Sequence, residues 1–230
     1  MIHNFVDKIF IINLEHRTDR WSSISNQLDR LGIKNYERFP GYIYINKDIP
    51  KYICGNIGCL ISHFLVNTLS IDRGYKRILI LEDDCKFVEE NYVKYNFART
   101  FNFLEDCGFD MFYLGATFHK YGIQPINEYV DRINECCASH AIVTDVDTIY
   151  TIFKDRYSTI DEIIKYCNRS DADTSIYTVD GVYTSFNLIR FVTNPMLAVQ
   201  TPSHSDITGH FSATDHYNMW KDAKNELVQL

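Results

Sequence analysis

The chain has 230 residues, 46% of them hydrophobic, and 23 Lys and Arg against 30 Asp and Glu give it a formal net charge of −7. That balance excludes a phosphate-backbone binder, which clusters Lys and Arg to neutralise several phosphates, and the length suits a single domain over residues 1–230 that hides roughly 70% of its unfolded surface. The longest apolar runs, Ile9 to Ile12 and Ile78 to Leu81, fall far short of the ~20 apolar residues of a membrane-spanning helix, so no membrane span is expected.

Lys8 to Leu14 is β-rich and apolar, and Thr18 opens a helical pattern through Leu28 and Leu31 that stops at Gly32. Tyr36 to Phe39 reads as a short strand, the stretch from Pro40 to Ile53 as loop, and Ile57 to Asp72 as a helix with Gly74 as its stop. Lys76 to Leu81 is the next strand, Glu89 to Glu105 a helix and Phe109 to Leu114 a strand ending in Gly115. Residues 117–135 show no period and read as a long loop of the kind that closes over a site. Cys136 to Val143 is predicted as a strand, Asp147 to Lys154 as a helix, Leu188 to Thr193 as a β run, and the tail from Thr214 as helix-like. Alternating strands and helices predict an α/β fold with a largely parallel, helix-covered sheet.

The beginning, Met1 to Lys8, lacks a basic segment followed by an apolar one, which predicts a cytoplasmic protein. Seven cysteines (Cys54, Cys59, Cys85, Cys107, Cys136, Cys137, Cys167) form no Cys-x-x-Cys pair, which predicts reduced thiols. The sequon Asn168-Arg169-Ser170 reads as a chance occurrence.

The sharpest chemical signal is Ile78 to Cys85, an apolar run that ends in Glu82-Asp83-Asp84. Open α/β sheets bind ligands at the carboxyl ends of their strands, and adjacent carboxylates repel by roughly 4 kcal/mol at ~4 Å and an effective dielectric near 20. A divalent cation carrying a phosphorylated substrate relieves that repulsion, Mg²⁺ or Mn²⁺ being held by one or two carboxylates plus phosphate oxygens. A solvated acidic turn is the other reading.

Two clusters precede it. Ile12 to Arg20 turns a strand into a helix and offers Arg17, Arg20 and backbone N–H groups to a nucleotide or its phosphates, or else carries ordinary solvated first-turn charges. Gly55 to His63 sets glycines before a helix that carries Ser62 and His63, where His63 is either a ligand-facing group or a hydrogen-bonded core residue. Downstream, Asp180 before Gly181 is a general base or a turn former. His204, in the Pro-bent stretch Gln200 to Asp206, is a metal ligand or an exposed loop residue.

Taken in order, these clusters resemble glycosyltransferase family 25, the bacterial lipopolysaccharide and procollagen galactosyltransferase-like group. The resemblance rests on Ile11-Ile12-Asn13-Leu14 with Arg17 and Asp19-Arg20, on Gly58-Cys59-Leu60-Ile61-Ser62-His63, and on Leu79-Ile80-Leu81-Glu82-Asp83-Asp84. It continues in Asp110-Met111-Phe112-Tyr113-Leu114-Gly115, Val179-Asp180, and Gln200 with Ser205-Asp206-Ile207, so that it covers roughly residues 8 to 207.

The resemblance implies a GT-A type, Rossmann-like αβα sandwich with a mostly parallel central sheet, in which an Asp-x-Asp-like motif, here Glu82-Asp83-Asp84, binds Mn²⁺ (or Mg²⁺) and a UDP-sugar. It implies metal ligation by Glu82, Asp84 and His204, and nucleotide-sugar contacts from Asn13, Leu14, Arg17, Arg20, Ser62, His63, Asp83 and Gly115. It further implies inverting transfer of a hexose, galactose from UDP-galactose, to a hydroxyl of a glycan or of hydroxylysine in a collagen-like chain, with Asp180 as the base.

Two other classes fit the same acids: a nucleotide-sugar-binding module without catalysis, and a metal-dependent phosphohydrolase or nucleotidyltransferase. No glycine-rich loop ending in Lys-Ser or Lys-Thr is present, which disfavours a P-loop enzyme.

Overall fold

β1 (Lys8–Asn13) and β3 (Arg77–Glu82) are near-continuous apolar runs because both faces of each are covered. They pair in parallel, Ile9 opposite Leu79 and Ile12 opposite Glu82, and β2 (Tyr36–Pro40) extends the sheet beyond β1. The computed structural model describes residues 1–118, 122–134, 136–137, 139–169, 177–201, 203–204 and 211–212.

On the other side of β3 the sheet continues through β10 (Ala141–Asp145), β5 (Met111–Tyr113), β11 (Arg190–Thr193), β8 (Val130–Ile133) and β7 (Ile123–Pro125), giving eight strands in the order β2-β1-β3-β10-β5-β11-β8-β7. β10 and β8 run against the other six, so the sheet is mostly parallel with two reversed strands. Residues 117–135 therefore do not form the loop expected from their lack of period. Their described part supplies β8, the edge strand β7 and the short β6 (Thr117–Phe118), which pairs with β9 (Cys136–Cys137). Strands this short leave too few alternations to read. The strand expected over Cys136 to Val143 is correspondingly split into β9 and β10.

Helices cover both faces. α1 (Thr18–Arg30) and α4 (Phe97–Cys107) press Ile24, Leu28, Phe101 and Leu104 onto Ile9, Ile11, Leu79, Leu81 and Phe112. α2 (Lys51–Asp72), α5 (Val146–Arg156), α6 (Ile160–Cys167) and α7 (Val179–Thr184) cover the opposite face, where Ile57, Ile61, Phe64, Phe153 and Val182 meet Met111, Tyr113, Ile142 and Val192. Each such side chain contributes about 1.5–3 kcal/mol on burial, and the result is the αβα sandwich that the resemblance implied.

Three boundaries differ from expectation in ways that shape the site. α2 begins at Lys51 after Pro50 and not at Ile57, so Gly55 and Gly58 lie inside it; Gly58 is needed there because a Cβ would stand 2.6 Å from the Tyr42 carbonyl oxygen. The helix expected over Glu89 to Glu105 breaks into α3 (Glu89–Lys94) and α4, where Tyr95 is extended and the Asn96 side chain caps α4 by accepting from Arg99 N. β4 (Cys85–Phe87) follows the acidic turn and pairs with β12 (Ala198–Gln200), bringing the distal part of the chain to Asp84. Gly74 (φ +71°) ends α2 and Gly32 (φ +67°) follows α1 in the left-handed conformation anticipated for a helix stop.

α2 is also long and apolar enough, by length and composition, to cross a membrane, with a mean hydropathy of 1.3 over its most apolar window. Glycine, Asn and Ser break up its apolar residues, which is why no continuous run is visible in the sequence. Here it is a core helix, 61% of that window being buried against the sheet and its partner helices. The helix-like tail expected from Thr214 lies outside the described residues.

Candidate active site

β1 and β3 end side by side, so that Asn13 at the end of β1 and Arg20 in the first turn of α1 meet the acids that follow β3. Asn13 Nδ2 donates to Asp83 Oδ2 (2.6 Å) and to the Arg17 carbonyl (3.0 Å), while its Oδ1 accepts from Arg38 Nε at 2.8 Å. Arg20 Nη1 donates to Asp83 Oδ1 at 2.7 Å and lies 3.7 Å from Asp84 Oδ2. Asp83 is thus clamped by a neutral amide on one oxygen and a guanidinium on the other. Burial nevertheless raises its carboxyl above the usual range, outweighing Arg20 and Asn13.

Glu82 and Asp84 diverge from it. Glu82 Oε1 accepts from Ser139 Oγ at 2.9 Å, and Cys59 Sγ and His63 Nε2 stand 3.9 and 3.6 Å away. Burial works to raise its carboxyl, but His63, Ser139 and the charge of His140 hold it below the usual value. Asp84 is pushed up to about 7, first by burial and then by the charge of Glu82, with Arg20 opposing. Its Oδ1 is buried and has no hydrogen-bond partner among the described residues. A carboxylate with an orphaned oxygen, forced upward beside two other acids, is a fitting ligand for a hard divalent cation.

A cavity of about 600 Å³ opens over this turn, within the usual range for small-molecule sites of roughly 300–1,000 Å³. Its floor is Glu82, Asp83 and Asp84; Leu14, His16 and Arg20 form one wall, and Tyr42 to Lys47 with Lys51, Cys54, Cys59 and Ser62 form the other. The second wall is fastened to α2, since Tyr42 N donates to Ser62 Oγ (2.8 Å), which in turn donates to the Gly58 carbonyl (2.7 Å).

Of the residues expected at the site, Leu14, Arg20, Ser62, Glu82, Asp83 and Asp84 line the cavity. Asn13 and His63 stand directly behind it, as the partners of Asp83 and Glu82. Arg17 lies outside the cavity wall and pairs with Asp19, whose carboxyl that contact lowers to about 2.

Gly115 is also elsewhere: a Cβ there would fall 1.8 Å from the Ala198 carbonyl oxygen, so this glycine serves the close approach of β12 to the end of β5. Asp180 sits in the first turn of α7, not in the wall, with its charge felt by Cys59, Tyr113 and Tyr183. His204 is in β13 (Ser203–His204), which pairs with β14 (Phe211–Ser212), but its side chain lies outside the described residues, as do Pro202 and 205–210.

Lys47, Lys51, Arg38 and Ser139 were not singled out in the sequence, and Cys59 entered there only as one of seven thiols and as part of the Gly58 to His63 motif. Lys51 alone left a signal, as a cation just after Pro50, the residue at the N-terminal boundary of α2.

Comparison with known proteins supplies the family. Residues 6–120, half of the chain, match the family model described as glycosyltransferase family 25 (LPS biosynthesis protein). A glycosyltransferase 25 family member of Drosophila melanogaster is 28% identical over 149 residues, 56% of this chain and 24% of that one. Procollagen galactosyltransferase 2 of Mus musculus is 32% identical over 103 residues, 35% of this chain and 16% of that one. An inactive glycosyltransferase 25 family member 3 of Homo sapiens is 27% identical over 139 residues, covering 47% and 22%. The matches span about a quarter or less of the length of these relatives.

Among solved structures, a glycosyltransferase involved in the glycosylation of the major capsid of PBCV-1 aligns with a TM-score of 0.47 at 11% identity, over 94% of this chain and 99% of that one. On the family match, which takes in the acidic floor of the cavity and the wall from Leu14 to Arg20, the chain belongs to glycosyltransferase family 25.

Proposed function

We propose that the cavity binds a UDP-sugar, UDP-galactose foremost, with a divalent cation, Mn²⁺ or Mg²⁺, and that the protein transfers the hexose with inversion to a hydroxyl of a glycan or of hydroxylysine in a collagen-like chain. The observation that carries the reading is Asp84, a cavity-floor carboxylate with a buried, unpartnered Oδ1 at the carboxyl end of a central strand. Galactose and hydroxylysine enter from the likeness to procollagen galactosyltransferase 2.

Asp84 would hold the cation, with Glu82 and His204 as further ligands. Bound there, the cation supplies positive charge to offset the negative charge that grows on the departing diphosphate. Arg20 is committed to Asp83 and Asp84, so its part is to fix their carboxylates and to lend partial charge. Lys47, Lys51 and the N-terminal turn of α2, which lines the cavity at Lys51, Cys54 and Gly55, provide the complementary field for phosphate oxygens. Ile12, Leu14, Tyr42 and Tyr44 give apolar wall for a base and sugar and keep water from the anomeric carbon.

An acceptor hydroxyl must lose its proton as it attacks. Asp180 is the proposed base, and its support is that its charge is felt at Cys59 in the cavity wall. Its position outside that wall, together with the likeness to an inactive human relative, favours a second reading, a nucleotide-sugar-binding module. An Asp180→Asn variant separates them: turnover falling by about 10²-fold or more with donor affinity retained supports the base, and unchanged turnover removes Asp180 from the chemistry.

Free thiols at all seven cysteines accord with a reducing, cytoplasmic setting, which is part of the proposal.

A further inference from the structure

Beside the acidic floor, three side chains of different chemistry converge. Cys59 and His63 are one helical turn apart on α2 and so share a face, and Glu82 meets that face from the end of β3. The Cys59 Sγ, His63 Nε2 and a Glu82 carboxylate oxygen all lie within 4.8 Å of one another. His63 is fully buried, and its Nε2 has no hydrogen-bond partner among the described residues.

Cys59 Sγ makes only a long hydrogen bond to Glu82 Oε1 and His63 Nε2 makes none among the described residues, and the spacings suit ligands around an ion. Sγ to Oε1 is 3.9 Å and Nε2 to Oε1 is 3.6 Å, the latter beyond the ~2.7–3.2 Å of an N–H···O hydrogen bond. With metal bonds of about 2.3 Å to sulfur and about 2.0–2.1 Å to nitrogen and oxygen, the edges of a tetrahedron are about 3.6 Å for S···O and about 3.4 Å for N···O. The observed edges are only about 0.2–0.3 Å longer, within reach of a small side-chain adjustment.

The second shell is also in place. Tyr183 OH lies 3.3 Å from His63 Nδ1, and when Nδ1–H donates to it the Nε2 lone pair faces the Glu82 carboxylate, an arrangement that a cation between them satisfies. Ser139 Oγ holds Glu82 Oε1 at 2.9 Å.

We propose that Cys59, His63 and Glu82 form a three-ligand site for a borderline divalent cation, Zn²⁺ foremost, whose fourth position opens into the cavity through Cys59 and Glu82. It shares Glu82 with the ligation proposed at Asp84 and differs from it in the thiolate of Cys59 and the imidazole of His63. Sulfur and imidazole select Zn²⁺ or Co²⁺ over Mg²⁺ and Mn²⁺. On binding, the Cys59 thiol gives its proton to solvent, so a thiolate, a carboxylate and a neutral imidazole surround the ion.

The test is titration of the whole chain, reduced and freed of metal, with Co²⁺ and then Zn²⁺, read by absorption. One equivalent of Co²⁺ should produce a thiolate-to-cobalt charge-transfer band that Zn²⁺ bleaches and a tenfold excess of Mg²⁺ does not. Cys59→Ser should abolish the band, and His63→Gln and Glu82→Gln should each weaken binding by more than about tenfold, while Asp84→Ala and Cys107→Ser leave it intact. Circular dichroism confirms that each variant is folded, and the near-isosteric Cys59→Ser keeps the test decisive should His63→Gln unfold. Absence of the band in the wild-type chain, or its persistence in Cys59→Ser, overturns the site, and neither result bears on sugar transfer.

Discussion

Arg20 and Asp83 are joined by a 2.7 Å ion pair between side chains only 13% and 9% exposed. The pair ties the first turn of α1 to the carboxyl end of β3 and sets the direction of the whole acidic turn. Removing one partner of a buried pair strands the other charge in a poorly solvated place, at a typical cost of about 3–5 kcal/mol. Arg20→Ala should destabilise the chain by that order in urea denaturation, and Arg20→Ala combined with Asp83→Asn should cost much less than the sum of the two single changes.

Asn13 tests the other half of the same clamp. Asn13→Asp replaces the amide donor 2.6 Å from Asp83 with a second carboxylate, while keeping the acceptor that Arg38 uses. Near pH 4 a protonated carboxyl restores the donor, whereas above about pH 5 the buried hydrogen bond is lost, at about 1–3 kcal/mol, and like-charge repulsion adds to that cost. Asn13→Asp should therefore be close to wild type near pH 4 and clearly less stable near pH 8, as read by thermal melts across that range.

Much of this clamp was legible in the sequence. The apolar runs of β1 and β3 and the 3.6-residue pattern of α1 are long enough to show their period, so Asn13, Arg20 and the three acids could be placed at element ends. The Tyr42–Lys47 wall was not, because its position depends on Gly58 admitting the Tyr42 carbonyl, and a glycine inside a helix reads from sequence as a boundary. Nor was the meeting of His63 with Glu82, which requires α2 to lie across the end of β3. β4 and β12 are three residues each, too short for alternation to betray them, and with them went the placement of Gly115.

Gly58→Ala should push the Tyr42 carbonyl away from α2, since its Cβ would lie 2.6 Å from that oxygen. The displaced wall loosens the cavity, so the expected result is weaker UDP binding by calorimetry with a modest loss of stability, of order 1–3 kcal/mol. Gly115→Ala meets the Ala198 carbonyl at 1.8 Å and should cost more, about 4 kcal/mol or beyond, through separation of β12 from the sheet end.

Asp84 gives the pH dependence its sign. Its carboxyl moves from 3.8 to about 7 on folding, mainly by burial and by the charge of Glu82, so the folded chain holds this proton more tightly than the unfolded one. The resulting contribution is fully present below about pH 4 and is lost as the pH rises through about 7. Without metal, Asp84→Asn should match wild type near pH 4 and exceed it in stability near pH 8 by about 1–3 kcal/mol. Affinity for Mn²⁺, which needs the carboxylate, should rise with pH and level off above about 7 in the wild type alone.

The most direct test is UDP release from a panel of UDP-sugars with Mn²⁺, with EDTA, and with Asp84→Ala, in the presence and absence of a hydroxylysine peptide or a simple sugar acceptor. The account predicts release from one donor, raised by an acceptor and lost both with EDTA and in Asp84→Ala. UDP release unaffected by EDTA and by Asp84→Ala, or UDP binding with no release from any donor, would contradict it.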